Sequence, residues 1–311
     1  METAVAVNRL GRKFGDVTAV DDLTFKVGSG ELFGIVGPDG AGKTTTLRML
    51  AGVLRPTSGD ASVAGVSIVK DPEGVKHHIA YMSQRFGLYT DLTVRENIEF
   101  YADLYRVPRE ERPARIERLY AFSGLGPFEN RLAGQLSGGM KQKLGLCAAL
   151  IHEPDILLLD EPTFGVDPIS RRDLWLIVHE MVARGVTVVV STAYLDEAER
   201  CDRVMLIHDG ASAMLDTPDA LQERLQGLVF AVNSDAPRRA RDVLRQLPEV
   251  NQAALFGEVI HVMLRGGQND LPAAHDALAA ADITVSTIEP IEPSLEDVFI
   301  DIVQGGEVES G

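Results

Sequence analysis

Cysteine is almost missing: Cys147 and Cys201 are the only two in 311 residues, and no metal-ligand spacing joins them. That excludes a disulfide framework, fits a reducing compartment, and leaves simple packing as the reading for both thiols. Aromatics are sparse at 6%. No run approaches the roughly 20 consecutive apolar residues of a membrane-spanning helix, the candidates being short stretches such as 156–159 and 186–190. Any membrane role is therefore expected to come through a partner. Positive charge is also short, with 30 Lys+Arg against 46 Asp+Glu and a formal net charge of -16. Such a balance repels a phosphate backbone and argues against nucleic acid as a partner. The opening METAVAVNRLGRKFG lacks the basic head and apolar core of a signal peptide, so the expected location is cytoplasmic.

What is present suits a packed chain of about two domains: 45% of residues are hydrophobic, enough for a sizeable core. Short β-rich runs (ELFGIVG, DILLLD, VTVVVST) alternate with helical patterns (TTTLRMLAGVL, DLWLIVHEMVARG) up to about residue 225. This alternation predicts an α/β domain with a largely parallel sheet over 1–225. The texture then changes. Residues 226–311 read as strand 228–233, helix 237–247, strands 250–257 and 259–265, helix 271–281, strand 283–288 and helix 294–303. That βαββαβ order predicts a ferredoxin-like accessory domain, with a frayed tail GGEVESG.

Three segments carry chemistry. Residues 37–44 read GPDGAGKT, a G-x-x-x-x-G-K-[ST] pattern between an apolar strand and a helix. Gly37, Gly40 and Gly42, with Pro38, Asp39 and Ala41 between them, supply a backbone that can wrap phosphates closely. Lys43 adds a point charge for the β and γ phosphates, the hydroxyls of Thr44 and Thr45 follow, and the helix start adds its positive dipole end. The bland alternative, a Gly-rich connecting turn, does not ask for Lys and Thr directly after the last glycine. Residues 156–161 read ILLLDE, a buried strand ending in two carboxylates. Burying both is costly without a cation or partner, so Asp160 is expected to hold magnesium with Thr44, directly or through an intervening ligand, and Glu161 to act as general base for an attacking water. One acid at a strand end is commonly just solvated; two beside a P-loop are less so. Residues 136–142 read LSGGMKQ, in which Ser137, Gly138 and Gly139 open a helix whose free N–H groups form a second anion site. Taken alone, this is an ordinary Ser-capped helix start. Met140, Leu144, Cys147 and Ile151 beyond it follow a helical stripe expected to be core.

LSGGMKQ resembles the signature of ABC ATPases, and further motifs of that family follow in order over most of the chain. The resemblance implies a P-loop NTPase fold with a parallel-sheet core, an antiparallel β subdomain and a helical signature subdomain. It also implies ATP and Mg2+ as ligands, and a head-to-tail dimer, with itself or a homologous ATPase, in which the P-loop of one copy and the signature of another clamp one ATP. Phe14 matches the aromatic that stacks on adenine, although a lone Phe in a strand is commonly core. Gln84 matches the Q-loop glutamine near magnesium and water, and Asp167 the D-loop, where the plain alternative is an Asp-Pro turn. The region around the Q-loop is expected to meet a transmembrane permease on the inner face of the membrane; Phe86, Tyr89, Phe100 and Tyr101 are divided there between dock and core. VGPDGAGKTT, SLEDVFI and the C-terminal unit resemble ATP-binding subunits of bacterial ABC-2-type drug exporters, the daunorubicin-resistance-like group. One departure stands out: STAYLDEA places Ala193 where the family usually carries a histidine, and a methyl group offers no hydrogen bond. His179 and His208 lie too far from that phrase to replace it by a register shift. Two rivals remain open, a soluble ABC protein that clamps nucleic acid and a regulatory subunit that holds ATP with little turnover.

Overall fold

In this computed structural model the described residues are 2–84, 87–225 and 227–308, with side chains described as far as 303. Phe86 and the last three residues of the tail lie outside them. The chain divides into two compact units, Met1–Glu197 with Cys201–Leu215, and Ala198–Arg200 with Asp216–Gly311.

The first ten strands are β1 (Thr3–Phe14), β2 (Val17–Gly28), β3 (Leu32–Val36), β4 (Ser58–Val63), β5 (Val66–Ser67), β6 (Ile79–Met82), β7 (Ile156–Asp160), β8 (Thr187–Thr192), β9 (Arg203–His208) and β10 (Ala211–Asp216). They make two sheets, an antiparallel one in the order β2-β1-β4-β5 and a six-stranded one in the order β10-β9-β3-β8-β7-β6. In the second, β3, β6, β7, β8 and β9 run parallel. Every residue of β3, β7 and β8 is buried, which explains why these strands read as continuous apolar runs and not as alternation. The two sheets share one core, where Val5, Leu23 and Val27 meet Ile35, Leu47 and Leu158, and Phe25 stacks on Phe33 at 5.3 Å. Each such aliphatic side chain contributes about 1.5–3 kcal/mol by leaving water. Parallel pairing brings the carboxyl ends of β3, β6, β7 and β8 to one edge, which is where open α/β sheets place their ligands.

Between β6 and β7 the chain forms helices Val94–Leu104, Arg112–Ser123 and Gly138–Leu150. The first starts on a reciprocal cap between Thr93 and Glu96. In the third, Leu144 and Cys147, with Ile151 just beyond, are fully buried, as the helical stripe predicts, whereas Met140 at its start is half-buried. Burial pushes the Cys147 thiol up to about 12 and raises Cys201 too, so both stay protonated and packed. Tyr89 and Phe100 are at the surface and stack edge to face at 4.6 Å, while Tyr101 is half-buried beside them.

The second unit runs β11 (Val229–Ser234), helix Pro237–Leu244, β12 (Val250–Phe256), β13 (Val259–Leu264), helix Leu271–Ala280, β14 (Val285–Pro290) and helix Leu295–Val308. Its sheet order, β12-β13-β11-β14 with every pair antiparallel, is the split βαβ topology expected of a ferredoxin-like unit. The last helix continues to Val308, five residues past the expected end at 303: Gly305 and Gly306 do not break it.

Candidate nucleotide site

The site is built where β3 ends. Gly37, the first residue past it, donates its N–H to the carbonyl of Thr192 at the end of β8. A Cβ on Gly37 would stand 2.1 Å from the carbonyl oxygen of Ile207, so no side chain fits there. Gly42 has φ 104° and would put a Cβ 2.5 Å from the Ala19 carbonyl, which excludes other residues twice over. Between them the loop turns on itself through Ala41 N–H to Pro38 O at 3.2 Å. Helix Lys43–Leu50 then begins, with no side chain capping its first N–H groups. Those free donors and the dipole point at whatever anion the loop holds.

Opposite the loop lie the two acids of β7, both in the interior, with Asp160 1% and Glu161 8% exposed. Two adjacent buried carboxylates are tolerable only if each is well supplied with donors. Asp160 Oδ1 accepts from Thr44 Oγ1 at 2.8 Å and from Ser191 Oγ at 2.9 Å, and Oδ2 accepts from the Tyr81 hydroxyl at 3.1 Å. Glu161 pairs with the Lys43 ammonium at 3.1 Å and accepts from Gln84 Nε2 at 2.8 Å. Its backbone sits in the left-handed region at φ 47°, a strained choice for a non-glycine residue, held there by bonds from its N–H to the carbonyl and hydroxyl of Ser191 at 3.1 Å each. Lys43 is 4% exposed and is also gripped by the carbonyls of Gly37 at 2.8 Å and Pro38 at 3.0 Å.

A cavity of about 350 Å³ opens between these groups. The P-loop lines it with Asp39, Gly40, Gly42, Lys43, Thr44 and Thr45, and the acid side with Gln84 and Glu161. Ala19 and Phe164 complete the wall, and neither was marked by the motif reading. Tyr81 and Ser191 were missed too. The register pair Asp160 with Ser191, set by β7 and β8 lying side by side, is what delivers the latter.

Other expected residues lie elsewhere. Phe14, 46% exposed, carries the Arg12 guanidinium 4.5 Å above its ring and is not among the described residues lining the cavity. Ser137 caps helix Gly138–Leu150, its Oγ accepting from Met140 N–H at 3.3 Å, and is exposed away from that cavity. Asp167 caps helix Pro168–Ala183 by accepting from Ser170 N–H at 3.0 Å, a bond that lowers its carboxyl pKa. Ala193 is exposed just beyond β8. Behind it Thr192 Oγ1 donates to the buried Glu197 at 2.8 Å, and Arg171 lies over the Tyr194 ring at 4.2 Å.

Among the described residues no group of three His, Cys, Asp or Glu is placed to hold a metal. The hydroxyl of Thr44 beside the carboxylate of Asp160 is a hard oxygen pair, which fits Mg2+: that ion takes one or two protein oxygens and fills its shell with phosphate and water.

Fold and site define a P-loop NTPase. Residues 20–164 match the ABC transporter family, and residues 217–303 the C-terminal domain of ATP-binding proteins like DrrA1-3. The chain is 33% identical to the daunorubicin resistance ATP-binding protein DrrA2 of Streptomyces coeruleorubidus, over 96% of this chain and 94% of that one. It is 43% identical to the probable multidrug ABC transporter ATP-binding protein YbhF of Escherichia coli (strain K12) over 98% of its own length, and spans about half, 53%, of YbhF. A solved dimeric ATP-binding cassette in a post-hydrolysis state with ADP and Pi superposes with a TM-score of 0.63 at 26% identity, covering 68% of this chain and 98% of that one. The chain belongs to the ATP-binding subunits of ABC transporters, of the DrrA-like kind.

Proposed function

We propose that the chain is the motor of an exporter: it closes on ATP and Mg2+ as a head-to-tail pair, and hydrolysis drives a separate ABC-2-type permease at the inner face of the membrane. The observation that carries this reading is the joining of P-loop and acid pair across one cavity, Thr44 to Asp160 and Lys43 to Glu161. Drugs or other hydrophobic compounds are the proposed cargo, on the names of YbhF and DrrA2.

In this reading the N–H groups at the start of helix Lys43–Leu50 and the Lys43 ammonium hold the β and γ phosphates, and the growing charge on the transferred phosphoryl group stays beside them. Phosphate competes with Glu161 for Lys43. Released from that pair, the Glu161 carboxylate is free to take the proton of the attacking water, with Gln84 Nε2 fixing its second oxygen. Thr44 and Asp160 would hold magnesium, which neutralises phosphate charge when bound. Phe14 is assigned to the adenine face. Ser137 and Gly138, exposed at a helix start, serve the ATP of the opposite copy together with the backbone of the buried Gly139, and Asp167 reaches across the same pair. Tyr89 and Phe100 offer apolar surface to the permease, and the net charge of -16 keeps nucleic acid away.

Phosphate release by the purified chain tests the motor. Magnesium-dependent turnover at least a hundredfold above a Glu161→Gln variant is expected, within the range of a lost general base. Release no faster than in that variant favours the second reading, a regulatory subunit with little turnover, for which Ala193 speaks.

A further inference from the structure

We propose that Tyr81 is a positioning residue for the metal site, holding the plane of the Asp160 carboxylate from a strand outside the P-loop. The proposal rests on Asp160 and Thr44 being the magnesium holders. Asp160 has three side-chain donors, and they are unevenly placed. Thr44 donates to Oδ1 at 2.8 Å and still has oxygen lone pairs to offer an ion, so its proton can stay on the carboxylate. Ser191 shares Oδ1 at 2.9 Å, while Tyr81 is on Oδ2 at 3.1 Å. With Oδ1 alone held the carboxylate could swing about that oxygen; with Tyr81 both oxygens are fixed, as outer partners of metal ligands generally do.

The phenol is equipped for the task. Its ring packs against the core shared by the two sheets, so the hydroxyl cannot wander. Arg48, on the P-loop helix, acts on the phenol with its positive charge, which makes the phenol's own proton a better donor to Asp160. The placement also has a consequence for coupling. β6 is the edge strand of the six-stranded sheet, and Gln84, three residues beyond Tyr81, donates to Glu161 at 2.8 Å. One short segment therefore delivers a donor to each of the adjacent acids, and a displacement of it loosens metal holder and base together.

Tyr81→Phe keeps the ring and removes only the proton donor. Mn2+ affinity of the ADP-bound chain, followed by electron paramagnetic resonance, is expected to fall about five- to tenfold, toward the lower end of outer-partner effects on metal sites. ADP affinity in EDTA should stay within twofold. Arg48→Ala should weaken Mn2+ in the same direction by less, and add nothing in the Tyr81→Phe background. Asp160→Asn provides the reference. If it leaves Mn2+ affinity unchanged, the metal assignment itself is wrong; if it weakens Mn2+ while Tyr81→Phe does not, Tyr81 is merely packing and the proposal is overturned.

Discussion

A single methyl group is the departure with the most to say about rate. Ala193 stands exposed past the end of β8, with Thr192 and Glu197 locked together behind it. Nothing in the surrounding bonds depends on the side chain at 193, so Ala193→His should fold as the parent does. A donor added there acts on charge that develops in the transition state, and not on ATP in its ground state. Turnover is expected to rise about tenfold or more with KM for ATP nearly unchanged. Steady-state phosphate release over a range of ATP concentrations reads both numbers, and equal turnover in the two forms would contradict the assignment of position 193. Residue identity alone led this far because the missing histidine sits inside a contiguous phrase. It could not lead to Tyr81 or Ser191: each lies many residues from Asp160, and only the neighbouring of β6, β7 and β8 brings the three together.

Elements explain why some glycines matter more than others. Gly139 lies in the first turn of the signature helix, where a Cβ would meet Ser170 Oγ at 2.1 Å and Ser170 Cβ at 2.3 Å, while Gly138 beside it has open space. The pressure falls between helices Gly138–Leu150 and Pro168–Ala183. Gly139→Ala should lower the melting temperature by about 2–6 °C, an overpacking cost of about 1–2 kcal/mol, and leave ATP affinity of the single chain intact. Gly138→Ala should shift it little; a thermal melt with and without ATP separates the two, and similar shifts for both would refute the close approach. In the second unit, Asp297 opens helix Leu295–Val308 and pairs with His261 of β13 at 3.0 Å. Burial raises its carboxyl pKa, but bonds from His261 and Ser294 outweigh that and hold it below the ordinary 3.8. A carboxyl whose folded value is depressed stabilises the fold above its unfolded pKa and loses that contribution as pH falls through the folded one. Amide protection around β13 should therefore drop below about pH 4. Asp297→Asn should already lack that contribution at neutral pH and show a flatter acid limb; an unaltered acid limb would remove Asp297 from the account.

The elements were legible in proportion to how local their signals are. Continuous runs marked β3, β7 and β8 because both faces are buried, and βαββαβ alternation marked the last unit almost strand for strand. Helix Pro237–Leu244 ends three residues before the expected 247, and the last helix overruns two glycines, since end positions depend on packing that no local pattern carries. Likewise β1 and β2, twelve residues each, carry register shifts that blur a period of two, so their antiparallel sheet came only with the family resemblance.

At the scale of the whole molecule, the proposed head-to-tail pair reads one chain as two half-sites. The P-loop and acids share a cavity, whereas Ser137 and Gly138 are exposed on a different surface and touch no part of it. A helix start with free N–H groups and no anion partner in its own chain is what a second copy would complete. The central claim is that one ATP lies between Asp39 of one copy and Ser137 of the next. Single cysteines placed at these positions, Asp39→Cys with Ser137→Cys in a Glu161→Gln background, test it directly, since Cys147 and Cys201 are buried and silent. With ATP and magnesium present, mild oxidation should give a covalent dimer on a non-reducing gel, and omission of ATP should abolish it. A chain that binds ATP yet forms no such dimer would contradict the account.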